Sequence, residues 1–353
     1  MNKHLCSYTL EELKAWFVKA GEKTFRANQI FEWIYQKQAM SFEEMTNLSK
    51  ELREKLKKAF LFPTLKLKEK EISADQETIK FLFELADGKF IEAVLINSFE
   101  RRTVCVSSQV GCKGACKFCA SGKKGFFRNL SSAEIIEQIL FIENYLKEKI
   151  TNVVFMGMGE PLDNLENVVK TIKMINDPKG LNLSQRRISI STVGLIDKIN
   201  MLLQKELKVN LVLSLHAPNQ QLREELIPYA KKNKLEELLK VMAKYAEKTS
   251  RDITFEYILI EGINDSEKDA LELADKLERF DHFSVNLIPY NPILGEAGED
   301  IVNKFKRPAS QRVNKFKDVL EKKKIPVTQR YAKGGDIAAS CGQLALRTPT
   351  AHK

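Results

Sequence analysis

From Thr103 to Arg330 the chain alternates β-rich runs with helical runs, and this regularity restricts the possible folds more than any other feature. Strands are expected at 103–107, 152–156, 187–192, 209–215, 252–260, 283–288 and 325–330, with helices at 131–147, 165–176, 235–249, 266–280 and 309–323 separating most of them. Parallel neighbours need a crossover of a dozen or more residues, which a helix supplies. The pattern therefore predicts an α/β fold, a partial (β/α)6 TIM-like barrel whose reactive groups gather at the carboxyl ends of its strands.

The chain ahead of the barrel reads differently. Leu13, Trp16, Phe17 and Ala20 share one helical face, Ile30, Phe31, Ile34 and Tyr35 a second, and Leu48, Leu52, Leu56 and Phe60 a third. Residues 1–62 are thus expected to form an N-terminal helical domain, with Ser41 and Glu44 as a capping box for its last helix. Residues 63–100 turn to alternation, and Asp87-Gly88 between β-rich runs at 78–85 and 89–96 marks a small β-hairpin extension. Residues 101–346 are assigned to the barrel and 347–353 to a frayed tail.

The 57 basic and 47 acidic residues leave a net charge of +10, which favours a polyanionic partner such as nucleic acid. The start of the chain has no apolar core of a signal peptide, and no run approaches the roughly 18 apolar residues that span a bilayer. A cytoplasmic protein with no membrane association is expected. Six cysteines without an export signal point to metal or redox chemistry and away from a disulfide scaffold.

Half of those cysteines, Cys112, Cys116 and Cys119, form a C-x3-C-x2-C run just past the first barrel strand. Three thiolates can hold three irons of a cubane cluster and leave the fourth open for chemistry. A structural zinc site, the alternative, usually shows two separated cysteine pairs. One β/α unit later comes Gly157-Met158-Gly159-Glu160-Pro161, where small residues permit close backbone approach and a carboxylate can face an ammonium. The triad resembles the signature of the radical S-adenosylmethionine superfamily. That likeness implies a [4Fe-4S] cluster and S-adenosylmethionine as cofactors, with the glycine-rich segment at the methionine end of the latter.

The longer motifs are more specific. The stretch from Cys105–Cys112 through Phe127–Leu130, Gly157 to Leu162, Ser214-Leu215-His216-Ala217-Pro218 and Gly335 to Leu344 together resemble the RlmN family of RNA adenosine methyltransferases, over nearly the whole chain. The resemblance implies cluster ligation by Cys112, Cys116 and Cys119, and cofactor contacts from Gly159, Glu160, Ser191, Ser214, Leu215, His216 and Asn291. It also implies that Cys341 carries a methyl group, that Cys105 resolves the intermediate through a disulfide with Cys341, and that Glu92 is the base. Taken singly, Cys341 would read as an inert thiol and Glu92 as an outward-facing strand carboxylate.

The implied reaction puts a methyl on carbon 2 of adenosine in 23S ribosomal RNA, at the peptidyl-transferase centre, and in transfer RNA next to the anticodon. Carbon 2 lies between two ring nitrogens and is electron-poor, so direct displacement fails. The family-like route methylates Cys341 from one S-adenosylmethionine and uses a second to generate a radical on that methyl. It calls for an external electron donor such as flavodoxin or ferredoxin, and the protein is expected to be a monomer. A Cfr-type enzyme acting at carbon 8 shares every cysteine and is the nearest alternative; a non-catalytic, zinc-containing RNA-binding protein is the more distant one.

Arg101-Arg102, Lys123-Lys124 with Arg128, Arg186-Arg187, Lys231-Lys232 with Lys234, and Lys304, Lys306 and Arg307 are candidates for phosphate contacts. A solvated face is the plainer reading of each. The target base has to leave its stack to reach a barrel mouth, and the helical domain is expected to help grip the RNA.

Overall fold

The computed structural model describes residues 3–292, 305–330 and 333–344. The chain opens with strand β1 (Lys3–His4), helices α1 (Leu10–Lys19), α2 (Phe25–Tyr35) and α3 (Lys50–Ala59), and strand β2 (Phe60–Leu61), which pairs parallel with β1. Thr9 starts α1 with a capping box, its hydroxyl accepting from Glu12 N–H while its own N–H donates to the Glu12 carboxylate. The expected box at Ser41 and Glu44 is corrected. Those residues do bond each other, but within a turn, and α3 is capped by Ser49, whose hydroxyl accepts from Leu52 N–H at 3.2 Å. The local motif satisfied its own backbone without propagating, because the next apolar residues face the core from a non-helical path.

Strands β3 (Lys66–Ile72), β4 (Thr78–Glu84) and β5 (Phe90–Ser98) follow as an antiparallel meander, and β5 pairs antiparallel with β6 (Arg101–Cys105). The extension has one more strand than the hairpin read from the sequence, since Lys66–Ile72 is almost wholly exposed and carries little apolar alternation. A short ribbon, β7 (Gln109–Gly111) and β8 (Phe126–Asn129), brackets the four-residue helix α4 (Ala120–Lys123).

The barrel proper then runs α5 (Ser132–Leu146), β9 (Asn152–Phe155), α6 (Leu165–Asn176), β10 (Ile188–Thr192), α7 (Ile196–Leu203), β11 (Asn210–Ser214), α8 (Gln220–Leu226), α9 (Leu235–Thr249), β12 (Ile253–Leu259), α10 (Glu267–Leu277), β13 (Phe283–Pro289), α11 (Ser310–Lys322) and β14 (Val327–Gln329). Strands β6 and β9 to β14 are parallel and lie side by side in chain order, as a β/α barrel demands. Strand β12 is buried along nearly its whole length, which explains its continuous apolar run.

The sheet does not close. Its edges are β14 and β3, and residues 333–344 cross from the β14 side to the β3–β4 turn, where Ala74 N–H donates to Asp336 at 2.8 Å. One apolar core runs from Leu5 in the helical region to Leu344 in that crossing segment. Lys149 reaches the Tyr35 carbonyl at 2.9 Å and Lys170 pairs with Glu12 at 2.7 Å, so polar ties reinforce the same junction. Among the described residues no helix is long and apolar enough to cross a membrane. Lys304 and residues 347–353 lie outside the described residues.

Candidate active site

Cys112, Cys116 and Cys119 sit on the loop between β7 and α4, with Cys119 as the N-cap of α4. The loop folds tightly because Cys112 N–H donates to the Gly125 carbonyl at 2.9 Å, Gly114 N–H donates to Cys112 Sγ at 3.3 Å and Cys119 N–H donates to the Cys116 carbonyl at 3.1 Å. Gly111 has a φ of +74°, and a Cβ there would fall 1.9 Å from the Gly125 oxygen, so no other residue fits without moving the ribbon.

The three thiols line one cavity with Gly159, Glu160, Ser191, Ser214 and His216, at the carboxyl ends of β9, β10 and β11. Leu215 is buried beside it, its N–H donating to the Glu256 carbonyl at 3.0 Å. Asn291 lines a neighbouring chamber instead, where Arg307 donates to it at 3.3 Å. Gly157 and Gly159 are required by the protein itself. A Cβ on Gly157 would meet the Val106 backbone at 2.7 Å, and one on Gly159 the Gln109 side chain at 2.6 Å. Close approach to the β6–β7 connection is thus their first duty.

Glu160 is buried, accepting from Val193 N–H at 2.9 Å and Leu162 N–H at 3.0 Å. Burial pushes its pKa up to about 7 against those N–H groups, so a cation entering the cavity would recharge it. His216 accepts from Ile258 N–H at Nδ1, 3.0 Å, which leaves the proton on Nε2. Burial, with the Arg223 charge behind it, lowers its pKa to about 3 and keeps the ring neutral.

Burial also raises the triad thiols: Cys112 to about 12, Cys116 well above the usual thiol value and Cys119 upward. Thiols held protonated by desolvation are deprotonated outright when iron binds them. Among the described residues no three His, Cys, Asp or Glu side chains converge as ligands of a single ion. A cubane does not ask them to, since each thiolate takes a different iron. Donor chemistry and shared cavity both fit a [4Fe-4S] cluster, and the buried carboxylate at its side fits the ammonium of S-adenosylmethionine.

Cys341 stands on a wall common to two cavities. One is the triad cavity; the other is a chamber lined by Cys105, Val94, Arg101, Asn291, Arg330 and Lys333 among others. Cys105 ends β6, opposite Val94 of β5 and Val154 of β9. Burial pushes its pKa up to about 12, with Cys341 adding to the rise and Arg330 opposing it. Both cysteines are free thiols, so the implied disulfide is not formed in this state. Glu92 is two residues before Val94 on β5 and shares its face of the sheet, but it lines neither cavity. It is buried, 4.0 Å from Lys80 Nζ.

The segment carrying Cys341 is fastened on three sides. Lys80 Nζ donates to the Ile337 carbonyl at 2.6 Å, Gln343 to the Pro292 carbonyl at 2.8 Å and Ala120 N–H to the Gly342 carbonyl at 2.8 Å. The last bond joins α4 of the triad loop directly to the residue after Cys341.

The sequence reading missed Glu256 and Arg330. Arg330 donates to Glu256 at 2.9 Å between the two cavities, and Glu256 lies 3.4 Å from the Ser191 hydroxyl. A carboxylate in the middle of the mostly apolar 253–260 run was the available signal for the first. Of the basic candidates, Arg102, Arg128 and Lys234 are engaged in ion pairs, with Glu148, with Asp87 and Glu134, and with Glu224. Arg101, Lys123, Lys124, Arg186, Arg187, Lys231, Lys232, Lys306 and Arg307 are exposed. Of these, Arg186 and Arg187 precede β10 and so lie at the amino end of the barrel, away from the site.

A partial parallel barrel with a three-cysteine loop after its first strand and a glycine-rich turn after its second defines a radical S-adenosylmethionine enzyme, and the family model of that superfamily matches residues 106–274. A second family model, described as the ribosomal RNA large subunit methyltransferase N-terminal domain, matches residues 3–61. The chain is 54% identical over 340 residues to a probable dual-specificity RNA methyltransferase RlmN 2 of Protochlamydia amoebophila, covering 96% of this chain and 93% of the relative. It is 46% identical over 348 residues to the RlmN relative of Caldicellulosiruptor saccharolyticus, covering 98% of each. A crystal structure of a radical SAM methyltransferase from Sphaerobacter thermophilus superimposes with a TM-score of 0.92 at 40% identity, covering 97% of this chain and 99% of that one. The chain belongs to the RlmN family.

Proposed function

We propose that this enzyme methylates carbon 2 of adenosine in 23S ribosomal RNA, at the peptidyl-transferase centre, and in transfer RNA next to the anticodon, with Cys341 as the methyl carrier. The observation that carries the reading is the position of Cys341 on the wall between the triad cavity and the chamber that holds Cys105. A carrier has to face both its methyl source and its acceptor.

Cys112, Cys116 and Cys119 would hold the cluster, and Gly159, Glu160, Ser191, Ser214, Leu215, His216 and Asn291 would hold S-adenosylmethionine. When bound, the [4Fe-4S] cluster and two molecules of S-adenosylmethionine per turnover supply the methyl group and the one-electron chemistry, with electrons from a flavodoxin- or ferredoxin-type donor. Cys341 loses its proton and its sulfur takes up the methyl group. Once that carbon, having given one hydrogen atom to the adenosyl radical, is joined to carbon 2 of the base, Glu92 accepts the ring proton and the odd electron left on the ring would pass back to the bound cluster. Cys105, as thiolate, then attacks Cys341 Sγ. The S–S bond forms, the carbon–sulfur bond breaks with its electron pair on the departing carbon, and protonation leaves the methylated base. A cellular dithiol returns both cysteines to thiols. The exposed basic side chains and the helical region at 1–62 serve folded RNA, and the enzyme works as a cytoplasmic monomer.

The test is Cys105→Ala incubated with ribosomal and transfer RNA under anaerobic, reducing conditions. A covalent RNA adduct on Cys341 is expected, and Cys341→Ala should transfer no methyl at all. Free methylated product at the normal yield from Cys105→Ala would overturn the resolving role. Nucleoside mass spectrometry of the wild-type product should show 2-methyladenosine; 8-methyladenosine would replace this reading with Cfr-type chemistry.

A further inference from the structure

Arg223, on α8, is the largest wholly buried side chain among the described residues, at 0% exposure. Its Nε donates to the Leu215 carbonyl at 3.2 Å, and its Nη2 to the Val193 carbonyl at 2.6 Å and the Ser214 carbonyl at 3.3 Å. Those carbonyls cap the carboxyl ends of β10 and β11, beside the residues assigned to the cofactor. Its Nη1 is buried and has no hydrogen-bond partner among the described residues. All these acceptors are neutral carbonyls.

The helix that carries Arg223 is also the support of the triad loop. The Leu226 carbonyl at its end accepts from Lys117 N–H at 3.0 Å, and Leu226, Ile227 and Ala230 pack with Cys116 and Phe118 in a small core of their own. A guanidinium taken out of water without a carboxylate partner is costly, by several kcal/mol in general. Such a residue persists where something else offsets it. A [4Fe-4S] core of charge 2+ held by three thiolates carries a net −1, and −2 once reduced, so a fixed cation at the strand ends that line the triad cavity answers a charge that the apoprotein lacks.

We infer that Arg223 is a positioning and tuning residue for the cluster: it braces the strand ends that hold the cofactor, and its buried charge stabilises the reduced cluster, raising the reduction potential. This rests on the cluster assignment above. Iron and sulfide content therefore has to be measured alongside: a wild-type protein that binds neither would sink the cluster assignment and the role of Arg223 with it, whereas full iron with an unmoved midpoint in Arg223→Gln would sink the role of Arg223 alone.

The experiment compares anaerobically reconstituted full-length wild type, Arg223→Gln and Arg223→Lys without S-adenosylmethionine, by redox titration followed by electron paramagnetic resonance. In Arg223→Gln the reduction equilibrium should fall tenfold or more, a midpoint lower by about 59 mV for one electron. Arg223→Lys keeps the charge and loses the fork, so its shift should be smaller. An Arg223→Gln protein with full iron and the wild-type midpoint overturns the proposal, as does an equal fall in both variants. If Arg223→Gln folds by circular dichroism but fails to retain iron, Arg223→Lys decides: retained iron supports the role of charge, and equal loss of iron refutes it.

Discussion

The triad cavity and the Cys341 segment face each other across one sulfur atom, yet they are built on different principles. The cavity is lined by strand ends whose positions are set by backbone pairing, and its loop closes through main-chain bonds and a glycine contact that tolerates no side chain. The Cys341 segment has no strand or helix and hangs chiefly on side chains, Lys80 from β4 and its own Gln343 and Lys333, with a main-chain bond from Ala120 beside them. A site that must hold a cluster in one geometry benefits from the first plan. A methyl carrier of the kind proposed for Cys341, serving two chambers, would benefit from the second, since a few side-chain bonds can be exchanged without unfolding a strand.

The largest effect should come from the cavity. Cys116→Ser is expected to lose the cluster and abolish 5′-deoxyadenosine formation, while the Cys341 segment keeps its wild-type resistance to limited proteolysis. Retained brown colour with full iron would break the contrast. Lys80→Met attacks the other side. It removes a cation, only 4% exposed, that faces Glu71 at 3.0 Å and Glu92 at 4.0 Å, so about 3–5 kcal/mol of stability should be lost locally. Protease sensitivity near Cys341 should rise and methyl transfer fall, with iron content unchanged; loss of iron would mean that the two regions are one unit.

Gly111→Ala should cost about 1–3 kcal/mol from backbone strain alone, and more from displacing Gly125, read as a lower melting temperature together with poorer cluster loading. A pH series sharpens the comparison on the carrier side. The Cys105 pKa is pushed up to about 12 by burial, so its thiolate, the attacking form in the proposed resolution step, is scarce at neutral pH. Its fraction, and the rate of adduct resolution in single turnover, should rise about tenfold per pH unit through the range below that value. A rate that levels off near pH 8 would contradict this. Lys333→Ala, which removes a half-exposed ion pair with Glu77, should cost no more than about 1 kcal/mol, visible as a small shift in denaturation midpoint.

Much of the barrel was legible in advance. Helices Leu165–Asn176 and Leu235–Thr249 begin and end where their apolar spacing places them, and every expected barrel strand is present within a few residues. Local periodicity carries that information because each element buries one face, or both. Short elements escaped: α8, the ribbon of β7 and β8, and α7 have too few residues to show a period, although α8 carries Arg223 and supports the triad loop. Ser41 and Glu44 misled for the opposite reason, a true local motif that tertiary packing did not extend into a helix.

By itself the sequence determined the order of strands and helices, the three-cysteine loop behind the first barrel strand and the glycine turn behind the second, because spacing and side-chain type act over a few residues. Only the tertiary structure decided that Cys105 and Cys341 line one chamber, that Arg330 and Glu256 pair between the two cavities, and that a buried guanidinium bonded only to carbonyls sits on the helix that supports the triad loop. The reason is the open edge of the sheet. A barrel that fails to close leaves a gap that a distant, irregular segment must cross, and no local pattern encodes what that segment will meet on the far side.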